Sequence, residues 1–329
     1  MHASTGRRAR GVISALSPGL VAAPLIGWIL ATRGDEVVAA ISACPPWVIV
    51  GATLAHALTL VLRTEAWRTV LTAGGGPRLE SGVLHTANAG SFLVGTVQSH
   101  AALPARVTLV RRLGGRDAPE VSRIALADAP ILMLEVCTSA LLAGLAATAV
   151  PSIPAWAPVA MMLGAVAILW ALRLAHLRFR HRPLAAGLAV LADPGPAVRL
   201  IAIVLAFTFA ALARTWVVLI GFGLPSGPTD VALLLFSMGA IGLLPLSALG
   251  TAPTAAVAAM GTTDLTGATA AGLVIGTSTV LAVLLYAGAC WTWGARLAEQ
   301  APERAGRAEV LALPVRAAAD SEPELDLAA

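Results

Sequence analysis

SGVLHTANAGSFLVGTVQSHAALPA, residues 81–105, contains no Asp, Glu or Arg. About 20 apolar residues suffice to cross the hydrocarbon core of a membrane, so the stretch is long enough to span one. Its composition argues against a plain crossing. His85, Asn88, Gln98 and His100 are poor lipid-facing residues, and Gly90 and Gly95 permit a turn. The flanks settle the reading. Upstream, residues 63–80 carry Arg63, Arg68 and Arg78; downstream, residues 106–123 carry Arg106, Arg111, Arg112, Arg116 and Arg123. Arginines in short loops mark the cytoplasmic side, so both flanks belong there. A simple span would carry five arginines across. The stretch is therefore expected to enter the membrane and return, as a re-entrant hairpin. Irregular backbone at membrane depth is tolerated where protein or a water-filled cavity covers it.

The rest of the chain is membrane-like as well. Of 329 residues, 57% are apolar and 12% are charged, and the mean hydropathy is +0.82. Soluble domains carry about 25% charged residues, so neither a soluble globular protein nor a largely disordered chain fits. The net charge is only +4, and the arginines fall in short loops, which argues against nucleic-acid binding. Every basic residue is Arg. That excludes mechanisms needing a lysine, such as a Schiff base or a phosphate-loop lysine. Cys44, Cys137 and Cys290 lie far apart in apolar surroundings, with neither zinc nor disulfide spacing. No cofactor is expected.

Further charge-free runs fall at 11–32, 37–62, 200–222 (broken only by Arg214), 231–263 and 265–295, and residues 33–36, with one Arg and two acids, are expected to form an outside loop between the first two. The stretch 124–172 contains only Asp128 and Glu135, and Pro151, Pro154 and Pro158 mark a tight connection within it. Proline is welcome at a helix start, so the second span is expected to begin near Pro46. Residues 237–253 are small and interrupted, with a Leu244-Pro245 step echoing Leu103-Pro104, then Gly250 and Pro253. Two broken hydrophobic segments in corresponding halves point to a transporter-type binding site. The expected architecture is an all-α integral membrane bundle of seven to eight transmembrane helices. It has one or two re-entrant or broken segments, 81–105 and 237–263, and room for an inverted repeat. Residues 1–295 form the membrane domain, and 296–329 a polar, disordered tail. Arg7, Arg8 and Arg10 place the N-terminus on the cytoplasmic side of the cytoplasmic membrane.

Ionisable residues inside spans are costly and therefore functional candidates. Asp128 and Glu135 stand seven residues apart on one helix face, about 10 Å along the axis. Arg214 is their expected counter-charge. The alternatives are a buried ion pair that holds helices together and groups that handle substrate or protons. Arg106 and Arg112 follow Pro104, and arginine binds phosphate through bidentate hydrogen bonds. Asn88 and Gln98 would line the re-entrant path. Glu65 and Arg68 have helical (i, i+3) spacing and read as an interfacial ion pair. His56 reads as a packed polar residue within its span. No nucleophile elbow, nucleotide-binding loop or zinc motif is present.

Three stretches resemble the flippase-like membrane region of the lysylphosphatidylglycerol synthase family. These are Arg63-Thr-Glu-Ala-Trp67-Arg68, Leu103-Pro104-Ala-Arg106 continuing to Arg112 and Asp128, and Leu244-Pro245-Leu-Ser-Ala-Leu-Gly250-Thr-Ala-Pro253. The chain departs from the family at Thr108-Leu109, where Gly-Glu is usual, and at Ile124-Ala125, where Glu-Arg is common. The resemblance implies a translocase of an anionic lipid or lipid-linked intermediate, with Arg106 and Arg112 at the phosphate. The family's soluble aminoacyl-transferring domain has no counterpart here, so lipid aminoacylation is not expected. Two rival readings remain open. One is a membrane-embedded transferase using His100, Glu120 or Glu135. The other is a scaffold for a separately encoded lipid-modifying enzyme.

Overall fold

The computed structural model describes residues 19–73, 79–98, 101–115, 118–148, 156–179, 187–242, 248–260 and 264–319. All regular structure among them is helical. The helices are α1 (Gly19–Ala43), α2 (Pro46–Ala73), α3 (Ser81–Val97), α4 (Ala102–Gly114), α5 (Val121–Leu126), α6 (Asp128–Ala147), α7 (Trp156–Phe179), α8 (Pro194–Gly221), α9 (Pro228–Gly242), α10 (Ala248–Met260) and α11 (Leu265–Ala319). A short 3-10 turn, Gly187–Leu191, precedes α8.

Along several helices, large apolar side chains face outward while polar ones are buried. Val50, Leu54, Leu58 and Val61 form an exposed stripe along α2, while Thr53, Thr59, Thr64 and Thr69 of the same helix are buried. On α8, Ile201, Leu205, Phe209 and Trp216 face out and Thr208, Arg214 and Thr215 face in. Water would penalise such a surface, whereas lipid tails are as apolar as leucine and leave polar side chains to hold helices together. Four helical stretches among the described residues are long and apolar enough to cross a membrane: Pro46–Ala73, Val121–Leu142, Pro194–Gly221 and Leu265–Trp293. The chain therefore folds as an all-helical, membrane-type bundle. Four such stretches, not seven or eight, are what the described residues supply.

Several boundaries follow from local chemistry. Helix α2 starts at Pro46, where the missing N–H costs nothing. The loop expected at 33–36 is instead a kink: α1 runs through it, with Arg33 at φ −136° and ψ 23°. Asp193 caps α8 by accepting from the Gly195 N–H at 3.2 Å. The backbone of α11 is helical to Ala319, so no helix end marks the tail boundary expected at 296.

Contacts fix the directions of the helices. Helices α2 and α8 are antiparallel, with Gly51 against Val217, Gly221 against Val48, and His56 beside Arg214. Their glycines let the two backbones approach closely. Helix α11 runs parallel to α2, pairing Thr64 with Tyr286 and approaching His56 near Thr279. Helices α3 and α4 form an antiparallel hairpin. A Cβ on Gly90 would lie 2.6 Å from the Leu109 side chain, one on Gly95 would lie 3.2 Å from Ala102, and Ser91 meets Arg106. Helix α9 packs on α10 on either side of residues 243–247. The sequence of one long helix, two short helices and a further span-length stretch thus occurs twice, as α2 to α6 and as α8 to α11.

Candidate functional site

Polar side chains converge where the α3–α4 hairpin meets α2, α6 and α11. Arg106 on α4 is 6% exposed. Its Nη1 donates to both carboxylate oxygens of Asp128, at 2.7 and 2.6 Å, and its Nε donates to Ser91 Oγ at 3.2 Å. Its guanidinium lies 5.0 Å from the Trp67 ring centre and 5.6 Å from that of Phe92. Asp128 opens α6 immediately after the turn at Ala127. One turn-pair further along α6, Glu135 pairs with Arg63 at 3.1 Å. Arg63 in turn lies over Phe207, 5.9 Å from its ring centre.

A second chain of contacts runs beside the first. Glu65 binds Arg68 at 2.6 Å and His85 Nε2 at 3.3 Å, with Arg199 at 3.8 Å. His85 Nδ1 meets the Tyr286 hydroxyl at 2.7 Å, which meets Thr64 Oγ1 at 2.9 Å. Asn88 Nδ2 donates to Thr64 at 3.3 Å, while Asn88 Oδ1 and Trp67 Nε1 are buried without protein partners. Buried orphans of this kind are places for water or a ligand. A carboxylate, an imidazole and a hydroxyl in series can also pass a proton.

A third group sits where α2, α8 and α11 meet. Arg214 Nη1 donates to His56 Nδ1 at 2.7 Å and to Thr279 Oγ1 at 3.1 Å. Arg214 is 5% exposed, and its Nε has no partner. A charge within a membrane span is costly, up to about 2.5–3.5 kcal/mol at its centre on insertion scales.

These positions revise several expectations. Arg214 is not the counter-charge of Asp128 or Glu135; Arg106 and Arg63 are. Arg106 and Arg112 do not form one phosphate site. Six residues turn a helix through about 240°, so Arg106 points inward while Arg112 is exposed. Gln98 is exposed at the end of α3, with its backbone N–H on Val94 O. Asn88 lies within the network, as expected of a lining residue. Pro104 occupies the first turn of α4, and Gly250 and Pro253 lie within α10. Pro245 and His100 fall outside the described residues. Glu120 is exposed, and Glu135 is engaged by Arg63. Arg63, Trp67, His85 and Tyr286 went unassigned in the sequence. One signal was available, since Tyr286 is the only tyrosine in the chain and it sits in the last apolar run.

An apolar groove of about 800 Å³ opens between α6, α8 and α9, lined by Leu142, Leu145, Phe209, Trp216 and Val231. It lies on the face of α8 away from Arg214.

No protein-family model matches the sequence, and no curated protein matches it either.

Proposed function

We propose that the chain is a multi-pass protein of the cytoplasmic membrane that moves an anionic lipid or lipid-linked intermediate between leaflets. This is the activity that the resemblance to the flippase-like region of the lysylphosphatidylglycerol synthases implies. The observation that carries the reading is the α3–α4 hairpin and its depth. Helix α3 runs antiparallel to α2, with Glu65 facing His85, Thr64 facing Asn88, and Leu60 clustered with Ala89. Carried forward, that register brings the tip at Gln98 level with about residue 53, about two turns short of the start of α2. Such a hairpin enters from one side, stops inside and returns. Arg106 on its returning arm is held by an ion pair to Asp128 beside the Trp67 and Phe92 rings. An ion pair can open when an anionic headgroup competes for the arginine. The groove between α6, α8 and α9 offers an apolar lining for an acyl chain. The repeated order of long and short helices, with α2 and α8 antiparallel, suits the inverted repeat found in many transporters.

Reconstitution tests this reading. Proteoliposomes carrying a fluorescent short-chain phosphatidylglycerol are treated with a membrane-impermeant quencher. The wild type is expected to expose the inner-leaflet probe faster than protein-free vesicles, and Arg106→Met is expected to slow that exposure. Exposure no faster than in protein-free vesicles overturns the reading.

The Glu65–His85–Tyr286 series favours a second reading, a membrane-embedded transferase with His85 as the proton-handling group. Mass spectrometry of lipids from a deletion strain separates the two. A missing lipid product supports the transferase, while an unchanged lipid set with altered leaflet exposure supports translocation.

A further inference from the structure

We propose that Arg214, with His56 and Thr279, forms an oxyanion site inside the bundle, which takes the phosphate of a lipid headgroup or free phosphate. Two other inward arginines have carboxylates: Arg63 has Glu135 and Arg106 has Asp128. Among the described residues, no carboxylate pairs with Arg214; its partners are a histidine and a threonine. Both partners already accept from Arg214. His56 Nδ1 accepts from Arg214, so the ring proton of the neutral imidazole sits on Nε2, which becomes a donor. Thr279 Oγ1 also accepts from Arg214, while its own hydroxyl donates to Ile275 O at 2.9 Å. The Nε–H of Arg214 is buried and unpartnered. What remains around Arg214 is a positive charge with spare donors and, among the described residues, no paired carboxylate, which is the complement of an oxyanion.

The depth suits a headgroup in transit. Arg214 lies about 10 Å along the axis from the C-terminal end of α8, and His56 about 15 Å from the start of α2. For helices of 28 residues centred on a hydrocarbon core about 30 Å thick, both lie below the interface. This inference deepens the translocation reading and rests on it only for the lipid as the source of the phosphate. The site itself stands on the geometry.

The test reads binding without transport. The full chain in detergent is titrated with phosphatidylglycerol in mixed micelles, against phosphatidylcholine. Separately, it is titrated with sodium phosphate, against sodium gluconate at equal ionic strength. Thermal unfolding is followed by thiol labelling of its buried cysteines. The wild type is expected to be stabilised by at least one phosphate-bearing probe. Stabilisation by phosphatidylglycerol alone identifies a lipid headgroup, and stabilisation by both identifies a general phosphate site. Arg214→Gln is expected to weaken that binding roughly tenfold to a hundredfold, the range for charge-assisted hydrogen bonds, while unfolding normally without ligand. Should Arg214→Gln not fold, Arg214→Lys keeps the charge but lacks the planar fork that spans His56, Thr279 and an anion. It is expected to bind about tenfold more weakly. A wild type unmoved by both probes, or a variant that responds as the wild type does, overturns the site. A wild type that translocates lipid but is stabilised by neither probe refutes this inference alone, and binding without translocation refutes only the transport reading.

Discussion

Removing Asp128 should damage the protein more than removing the arginine it binds. In Asp128→Ala, the Arg106 guanidinium stays behind among Trp67, Phe92 and Ser91 with no counter-charge. Breaking a buried ion pair from one side costs roughly 3–5 kcal/mol. The Asp128 side chain is 30% exposed, so water reaches the vacated edge and the cost falls to about 2–3 kcal/mol. Arg106→Met keeps an apolar stem between the aromatic rings. It strands Asp128, but that carboxylate can hydrate, and the cost is about 1–2 kcal/mol including the lost ring contacts. The double variant leaves no stranded charge and should cost little more than Arg106→Met alone. The two sites should therefore couple by roughly 2 kcal/mol, about thirtyfold in the folding constant. The assay uses Cys44, Cys137 and Cys290, which are free and buried. Maleimide labelling across a dodecyl sulfate titration reports unfolding of the wild type and all three variants. Additive effects, or an Asp128→Ala variant no less stable than Arg106→Met, refute the reasoning.

The same labelling assay checks three further expectations. A Cβ at Gly272 would run into the Pro253 backbone, so Gly272→Ala must push α10 and α11 apart at a cost of about 1–3 kcal/mol. Gly90→Ala meets only the movable end of Leu109 and should cost under about 1 kcal/mol; equal costs would contradict this contrast. Tyr286→Phe removes the hydroxyl shared by His85 and Thr64, leaving both short of a partner, and should cost about 1–3 kcal/mol. Arg112→Ala, exposed and outside the ion pairs described, should stay within about 0.5 kcal/mol of the wild type and keep its lipid-exposure rate; a clear loss of rate would return Arg112 to the site.

Much of this arrangement was legible because it depends on local chemistry. Pro46 starts a helix since its ring forbids continuation from the other side. The arginines around 81–105 argue against a plain crossing, and a helix–break–helix hairpin spans 81–114; Arg106, Arg111 and Arg112, read as a cytoplasmic flank, lie on its returning helix. The pairing of charges was not legible. Arg214 looked like the partner of Asp128 and Glu135 because charge type was the only guide. Which arginine reaches which acid depends on helix register across the bundle, and no local pattern encodes that. His85 and Tyr286 are 201 residues apart, and their meeting follows from the antiparallel run of α3 against α11. The kink at Arg33 was read as a loop, because three charges close together suggest an exit from the membrane, whereas the helix continues beyond them.

Helix α2 takes part in every polar group described. His56 reaches Arg214, Arg63 reaches Glu135, Thr64 and Glu65 reach the His85–Tyr286 pair, and Trp67 lies under Arg106. These contacts occupy residues 56 to 67, about 16 Å of a stiff rod. Turning α2 by a single residue position would rotate it about 100° and break all of them together. The clusters are therefore geared to one axle. Whatever loosens one end shifts the register on which the other depends, and a single rotation is the lowest-order motion by which they could exchange partners.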